Sequence, residues 1–227
     1  MKKLFLFCAS TIVCSSLVVA SPVLSIGTPA NNTNSITLSP QIGTLINFDD
    51  LASSVSSSAT IDPVTGFPLF ALPSNQYASQ GVASISNSGS QLFATFISQQ
   101  SATVYLTTGS SGNFAGDITI ALNHPNTAIG IGVSSDGTTP ITLKAFGASD
   151  NLLATFSGLV VPTTGPTPNN AYYVVSDPTG DIQSLEIISS QNLGIDDLQI
   201  APEPSEYLVT GGALAFLAFL RFRRRKS

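Results

Sequence analysis

Alternating apolar and polar residues recur along residues 35–201 and predict β-strands. In the run ITLKAF at 141–146, Ile141, Leu143 and Ala145 point to one face, because successive side chains of a strand alternate between the two faces of a sheet. The intervening residues, which point to the opposite face, are Thr142, Lys144 and Phe146. We expect further strands in the similar runs 44–48, 81–86, 92–97, 103–108, 118–122, 128–133, 152–160, 171–175, 182–188 and 195–200.

Turn-forming residues separate these runs and indicate the architecture. Clusters of Asn, Ser, Gly, Asp and Pro occur at 86–89, 110–113, 123–126, 136–137 and 149–151, and such residues favour turns between strands. Many short strands at spacings of about ten residues predict an all-β fold, an antiparallel β-sandwich over 35–201. Since no convincing amphipathic helix is present, the Ser-rich stretch 53–58 is predicted to be a loop. Residues 21–34 are predicted to be a flexible or edge segment, and Phe93, Phe96, Phe146 and Phe156 are interpreted as core residues.

The first twenty residues have the pattern of a secretory signal peptide. Lys2 and Lys3 form a positive start, an apolar run extends from Leu4 to Val19, and a compact residue, Ala20, ends the segment. This order is typical of a cleaved export signal, so we expect translocation by the Sec machinery. Both cysteines lie within residues 1–20. The mature chain would therefore contain no disulfide, no thiolate nucleophile and no Cys-ligated metal.

Residues 205–222 predict a C-terminal transmembrane helix. A helix of this length extends for about 27 Å, close to the thickness of a bilayer core. The basic residues at its end are Arg221, Arg223, Arg224, Arg225 and Lys226. They are expected to stop translocation and to stay in the cytoplasm, as the positive-inside rule requires. The alternative, an amphipathic surface helix, is disfavoured because the run has no polar face.

The charges of the central region exclude several classes of function. The whole chain has a formal net charge of −5, but residues 21–201 contain eleven acidic residues and one cation, Lys144. Such a surface repels phosphate backbones, which argues against nucleic-acid binding. A zinc site of ordinary composition is not expected, because the mature chain has one histidine, His124, and no cysteine. No Gly-x-Ser-x-Gly motif accompanies His124 to indicate a hydrolase.

The C-terminal segment 202–227 resembles a known sorting signal. Pro202-Glu203-Pro204, a short apolar run and an Arg-rich end follow one another, an order similar to the PEP-CTERM signal of Gram-negative bacteria. The resemblance implies recognition by an exosortase, a membrane-embedded cysteine protease–transpeptidase-like enzyme, which cleaves near the motif. The protein would be anchored in the inner membrane before processing and would afterwards lie at the cell surface or outside the cell. The two prolines keep the motif extended and accessible.

The order of the central runs resembles the jelly-roll domains that are common among PEP-CTERM proteins and are similar to carbohydrate-binding modules. In such folds the first and last strands often pair. This pairing would bring INFDDL, with Asp49 and Asp50, near GIDDLQI, with Asp196 and Asp197. The resemblance also implies a structural Ca²⁺ near these strands, although no complete ligand motif matches.

The two Asp pairs are the best candidates for a site. Their four carboxylates are hard oxygen ligands of the kind that Ca²⁺ prefers. A cation would offset the cost of burying them in a region with almost no basic partner. The alternative is that one Asp of each pair faces solvent, while the other caps a turn or accepts hydrogen bonds from backbone N–H groups. No other cofactor is expected.

Tyr172 and Tyr173 are candidates for stacking against a sugar ring. They follow the Pro-rich loop 161–170, and adjacent strand residues face opposite ways, so one ring would point outward. The alternative places one ring in the core and one at the rim. We predict no catalytic residues and no enzyme activity. The favoured function is an exported surface or matrix protein that binds exopolysaccharide; the alternatives are a dedicated carbohydrate-binding module with a defined ligand, and an extracellular glycoside hydrolase or lyase.

Overall fold

A computed structural model of the chain describes residues 21–27, 43–58, 60–62, 66–88, 92–96, 104–107, 117–135, 140–161, 171–190 and 193–201. The predicted signal peptide at 1–20 and the predicted sorting signal at 202–227 lie outside the described residues. Within those ranges, no helix has both the length and the apolar character needed to cross a bilayer.

The described residues form two antiparallel sheets, which confirms the predicted all-β class. The larger sheet contains β1 (Val23–Gly27), β2 (Thr44–Ile46), β3 (Thr60–Ile61), β4 (Pro68–Ala71), β6 (Phe93–Phe96), β7 (Val104–Thr107), β9 (Ala128–Ser135), β12 (Ala171–Ser176) and β14 (Leu193–Ile200). The smaller sheet contains β5 (Val82–Asn87), β8 (Ile118–Asn126), β10 (Ile141–Phe146), β11 (Leu152–Leu159) and β13 (Ile182–Ile188). The strand orders are β1-β12-β9-β14-β7-β6-β4-β3, with β2 also paired to β14, and β11-β10-β13-β8-β5.

The two sheets pack face to face over one hydrophobic core. The smaller sheet contributes alternate residues such as Leu143 and Leu185, and the larger sheet contributes residues such as Ile131 and Ile195. The period-two pattern explains this arrangement, because every second side chain of a strand points to the same face. A second, smaller cluster consists of Ala128, Tyr172, Val174 and Ala201.

A short helix replaces the loop predicted at 53–58. The helix α1 spans Ala52–Ser56 and follows a 3₁₀ turn at Asp49–Leu51. Leu51 and Val55 are buried, and residues four apart lie on the same face of a helix. The loop prediction was wrong because a helix of little more than one turn leaves only two apolar positions, too few to show a helical period.

The turn predicted at 123–126 also differs. This stretch, Asn-His-Pro-Asn, forms the end of β8, and the chain bends at Thr127 before β9 begins. Pro125 is exposed there, and a proline at the exposed end of a strand removes no essential ladder bond. The Asn126 side-chain amide donates a hydrogen bond of 2.6 Å to the His124 carbonyl. Turn-forming composition alone therefore placed the bend too early.

The strand that precedes the first Asp pair, β2, pairs with the last strand, β14, as predicted for INFDDL and GIDDLQI. In the antiparallel pair of β2 and β14, Ile46 lies opposite Leu198. β14 also pairs with β9, and its residues are buried along its whole length. At the other end of this sheet β1 pairs with β12, so the described part of residues 21–34 is an edge strand.

Candidate functional site

The register of β2 and β14 brings the two Asp pairs together. Asp49 and Asp50 follow β2 after Phe48, whose φ of 56° turns the chain into the 3₁₀ turn. Asp196 and Asp197 immediately precede Leu198, the partner of Ile46. The predicted proximity of the two pairs is therefore confirmed.

A bulge in β14 sets the orientation of the second Asp pair. The register against β9 shifts between Asp196 and Gln199, and Asp197 has a left-handed backbone with φ of 51°, which Asp tolerates better than most residues. The Asp197 N–H donates a hydrogen bond of 2.8 Å to Asp196 Oδ1. Across the sheet, a Cβ at Gly132 would lie 2.9 Å from the Asp196 carbonyl oxygen. The bulge therefore requires glycine at position 132.

The first Asp pair is exposed and already has hydrogen-bond donors. Asp49 Oδ1 accepts a bond of 2.9 Å from the Val104 N–H, which ties the 3₁₀ turn to β7. Asp50 Oδ1 accepts a bond of 2.8 Å from the Tyr77 hydroxyl. The Tyr77 ring in turn meets Phe48 edge to face, with 5.3 Å between centroids. These contacts match the alternative prediction for Asp49, a carboxylate that accepts a backbone hydrogen bond.

The second Asp pair is buried, and its ionised form is disfavoured. Asp196 and Asp197 are 3% and 6% exposed. Burial raises the pKa of Asp196 well above its usual range, and the charges of Asp197 and Asp49 add to this effect. Burial, followed by the charge of Asp49, raises the pKa of Asp197 to about 7. Asp197 Oδ1 is buried with no hydrogen-bond partner among the described residues, so no donor there stabilises its carboxylate.

The predicted Ca²⁺ site would use the carboxylates of both Asp pairs. Among the described residues, no group of three or more His, Cys, Asp or Glu side chains is arranged to hold a metal ion. Both oxygens of Asp49 accept hydrogen bonds, from the Val104 N–H and the Asn47 side-chain amide. One oxygen each of Asp50 and Asp196 also accepts a hydrogen bond from the protein. The four carboxylates do not, as they are placed here, fit a shared Ca²⁺ site, which takes six to eight oxygen ligands. Calcium binding stays a prediction.

The predicted stacking platform is not formed. Tyr172 and Tyr173 are both only 1% exposed. The Tyr172 hydroxyl donates a bond of 2.8 Å to Gln199 Oε1, and the Tyr173 hydroxyl donates one of 2.9 Å to the Val160 carbonyl. Burial raises the pKa of both hydroxyls. The side chains do face opposite ways, but apolar residues pack on both sides of β12, so neither ring is exposed on the surface.

The outward face of the smaller sheet carries a continuous line of polar side chains. Cross-strand pairing aligns one residue from each of the five strands. These residues, which we call the polar row, are Thr155, Lys144, Glu186, Thr119 and Ser86. At its centre Lys144 Nζ lies 3.1 Å from Glu186 Oε2, with side chains 33% and 23% exposed. The row therefore presents a half-exposed ion pair with a hydroxyl on either side.

A second line, of small and apolar residues, runs beside the polar row. Pairing again aligns one residue from each strand, and this second row consists of Leu152, Phe146, Ser184, Ala121 and Ser84. Phe146 is half-buried on this outward face, so the interpretation of Phe146 as a core residue was wrong. Leu143 and Ala145, which point to the other face of β10, lie in the core instead.

One further carboxyl group, that of Asp117, lies on the same outward face as the ion pair, two residues before Thr119. Burial raises the pKa of Asp117, the charge of Glu186 raises it further, and the charge of Lys144 opposes them. Asp117 immediately precedes β8. Its N–H donates a bond of 3.2 Å to Ser88 Oγ, and its carbonyl accepts one of 3.0 Å from the Ser88 N–H. This pair of bonds holds Asp117 next to Ser88, beside the polar row and two residues before Thr119.

Sequence reasoning missed this face although a signal was present. Lys144 is the one cation of residues 21–201, and the alternation in ITLKAF placed it on the face opposite Ile141, Leu143 and Ala145. Its partner Glu186 lies in another strand, and only the antiparallel register identifies it. Among the other predicted residues, His124 is exposed at the end of β8. The motif Pro202-Glu203-Pro204 and the cluster Arg221, Arg223, Arg224, Arg225 and Lys226 lie outside the described residues.

Comparisons with known proteins find only distant similarity of fold. No protein-family model matches the chain, and no curated protein matches it. Among solved structures, the active domain of bacteriophage CBA120 tailspike protein 4 is 14% identical with a TM-score of 0.34; the match covers 52% of this chain and 19% of that one. A family 29 carbohydrate-binding module from Piromyces equi is 13% identical with a TM-score of 0.31, over 56% of this chain and 87% of the module.

A third similar structure is a cleaved adhesin domain of Lys-gingipain from Porphyromonas gingivalis. It is 13% identical with a TM-score of 0.33, over 52% of this chain and 83% of that domain. Similarities this weak do not carry a function from those proteins to this chain.

Proposed function

We propose that this protein is an exported, non-catalytic protein of the cell surface or extracellular matrix that binds polysaccharide on the outward face of its smaller sheet. The proposed binding role is based on the polar row, which has the Lys144–Glu186 ion pair at its centre. The dedicated carbohydrate-binding module with one defined ligand is a narrower form of the same proposal.

The chemistry of the face suits a polyhydroxylated ligand. Lys144 donates hydrogen bonds, Glu186 accepts them, and the hydroxyls of Thr119, Thr155 and Ser86 do both. Sugar hydroxyl groups need donors and acceptors side by side, which the row provides. Phe146 in the second row offers an apolar surface for the C–H face of a sugar ring, since ligand sites combine aromatic walls with a few polar groups.

The placement of the carboxyl groups favours binding over hydrolysis. Most glycoside hydrolases use two carboxyl groups that flank the scissile bond. Asp196 and Asp197 are buried beneath the surface of the larger sheet and cannot contact a substrate. On the smaller sheet, Glu186 is engaged by Lys144. A hydrolase or lyase would instead release reducing or unsaturated ends from a bound polysaccharide, and would lose this activity in Glu186→Gln.

The proposed route to the cell surface uses both ends of the chain. Residues 1–20 would direct export by the Sec machinery, and residues 205–222 would hold the protein in the inner membrane. An exosortase would then act near Pro202-Glu203-Pro204. The sequence patterns described above support this part of the proposal.

Affinity electrophoresis tests the binding role. The purified protein should be retarded in gels that contain a polysaccharide ligand, and Phe146→Ala and Lys144→Gln should each weaken retardation by about tenfold in affinity, or about 1.4 kcal/mol. Ile61→Ala is the matched control, because Ile61 is an exposed apolar residue of the larger sheet. Unchanged retardation of the first two variants, with circular dichroism like that of the wild type, would contradict the proposed site.

A further inference from the structure

Resting on the proposed function, we infer that the ligand of the polar row is a neutral polysaccharide and that Glu186 and Asp117 exclude acidic chains. This inference names the class of ligand and the residues that select it. It follows from the charges that face one another on the outward face of the smaller sheet.

The ion pair leaves no free positive charge for an anionic sugar. Lys144 Nζ lies 3.1 Å from Glu186 Oε2, so a uronate or sulfate group would have to displace the Glu186 carboxylate to reach the ammonium group. Asp117 lies on the same outward face, two residues before Thr119, which is the cross-strand partner of Glu186. Two carboxyl groups therefore accompany one cation.

The rest of the chain adds to this repulsion. Residues 21–201 contain eleven acidic residues and no cation other than Lys144. A surface of this sign repels polyanions at low ionic strength, and juxtaposed like charges reduce affinity strongly. Hydroxyl groups of a neutral sugar meet no such repulsion and can bond to both members of the ion pair.

The shape of the face favours an extended chain that runs across the strands. The polar row crosses five strands, which at a spacing of about 4.8 Å gives a line of about 19 Å. The second row lies parallel to it, with small side chains at Ser184, Ala121 and Ser84. A chain of several sugar units could therefore place its hydroxyls on the polar row and its C–H faces on the second row.

The inference is tested by affinity electrophoresis of the full chain with two sets of probes. The neutral set is dextran, mannan and xyloglucan, and the acidic set is alginate and polygalacturonate. We expect retardation by at least one neutral probe, which persists at about 0.5 M salt because screening removes only charge effects. We expect no retardation by the acidic probes. Wild-type affinity for an acidic probe equal to that for the neutral ones would overturn the inference but not the proposed binding role.

Variants identify the residues that exclude acidic chains. Glu186→Gln frees the Lys144 ammonium group, and we expect it to raise affinity for alginate by about tenfold at low salt; Asp117→Asn should act in the same direction. Asp181→Asn is the control, since Asp181 is an exposed acid that precedes β13. No gain in either variant would contradict the selective role. If no polysaccharide of either set binds, or if the outward face instead drives self-association that Phe146→Ala abolishes, the proposed function itself fails.

Discussion

Asp197 combines a left-handed backbone, nearly complete burial and an oxygen without a partner among the described residues. Burial raises its folded-state pKa to about 7, from an ordinary value of 3.8. The folded protein therefore binds a proton more tightly than the unfolded chain between these two values. The contribution of Asp197 to stability is therefore fully present below pH 3.8 and is lost as the pH rises through about 7.

We expect the free energy of unfolding to fall by up to roughly 4 kcal/mol between pH 4 and pH 8 through this one group. Urea unfolding over a pH series measures the change. Asp197→Asn should reduce the slope, because an amide does not ionise and Asn also tolerates the left-handed conformation. Asp196, whose pKa burial also raises, accounts for the slope that stays. Asp181→Asn, at an exposed position, should leave the slope as it is. A slope that is the same in wild type and Asp197→Asn would show that this carboxyl does not control it.

Gly132 is the second residue on which the bulge depends. A methyl group there would lie 2.9 Å from the Asp196 carbonyl oxygen, and a backbone atom cannot move aside as a side chain can. We expect Gly132→Ala to cost about 1–3 kcal/mol, as overpacking does. Gly158→Ala is a useful comparison, because its new Cβ meets nothing within 4 Å and only the φ of +73° matters. Equal thermal melting of Gly132→Ala and the wild type would contradict a close approach at this position.

Among the elements, α1 depends on a single buried contact face. Val55 is buried against the core while its helical neighbour Ser53 is exposed. Val55→Ala should lower the free energy of unfolding by about 2 kcal/mol, the cost of deleting buried methyl groups. Ser53→Ala should change it by less than about 0.5 kcal/mol. Chemical denaturation of both variants checks the difference; similar small effects would mean that α1 does not pack as described.

For the whole molecule, metal removal decides the calcium prediction. If Ca²⁺ binds at the Asp pairs, EDTA should lower the melting temperature, and added Ca²⁺ should restore it by mass action. If Asp196 and Asp197 are buried without a metal, the protein should instead melt at the same temperature with and without EDTA. A melting curve that EDTA does not move would remove calcium from the account. Mg²⁺ at the same concentration serves as the ionic-strength control.

The fate of the whole chain depends on its last residues. Deletion of Arg221 to Lys226 removes the basic cluster that is predicted to stop translocation. We expect this deletion to abolish processing near Pro202-Glu203-Pro204, as shown by mass spectrometry of the mature C-terminus. Ser227 deletion alone is the control. Unaltered cleavage and location of the truncated protein would count against a sorting signal.

Several features could be predicted from the sequence alone because they depend on local periodicity. The period-two alternation in β10 placed Leu143 and Lys144 on opposite faces, and the structure shows that the face of Leu143 is the inward one. The proximity of Asp49 to Asp196 came from a resemblance to known folds, and the register of β2 and β14 confirms it. The one-turn helix α1 gave too weak a periodic signal to be recognised.

The sequence by itself determined the all-β class and the acidic character of residues 21–201. Alternation depends only on residues that are close in the sequence, and net charge depends only on the sum of the charged residues. Only the tertiary structure decided that Tyr172 and Tyr173 are both buried. It also decided that Lys144 meets Glu186, because residues 42 positions apart become neighbours only through strand register. Burial of both sides of β12 and pairing across β10 and β13 are relations between distant segments, and no local pattern encodes them.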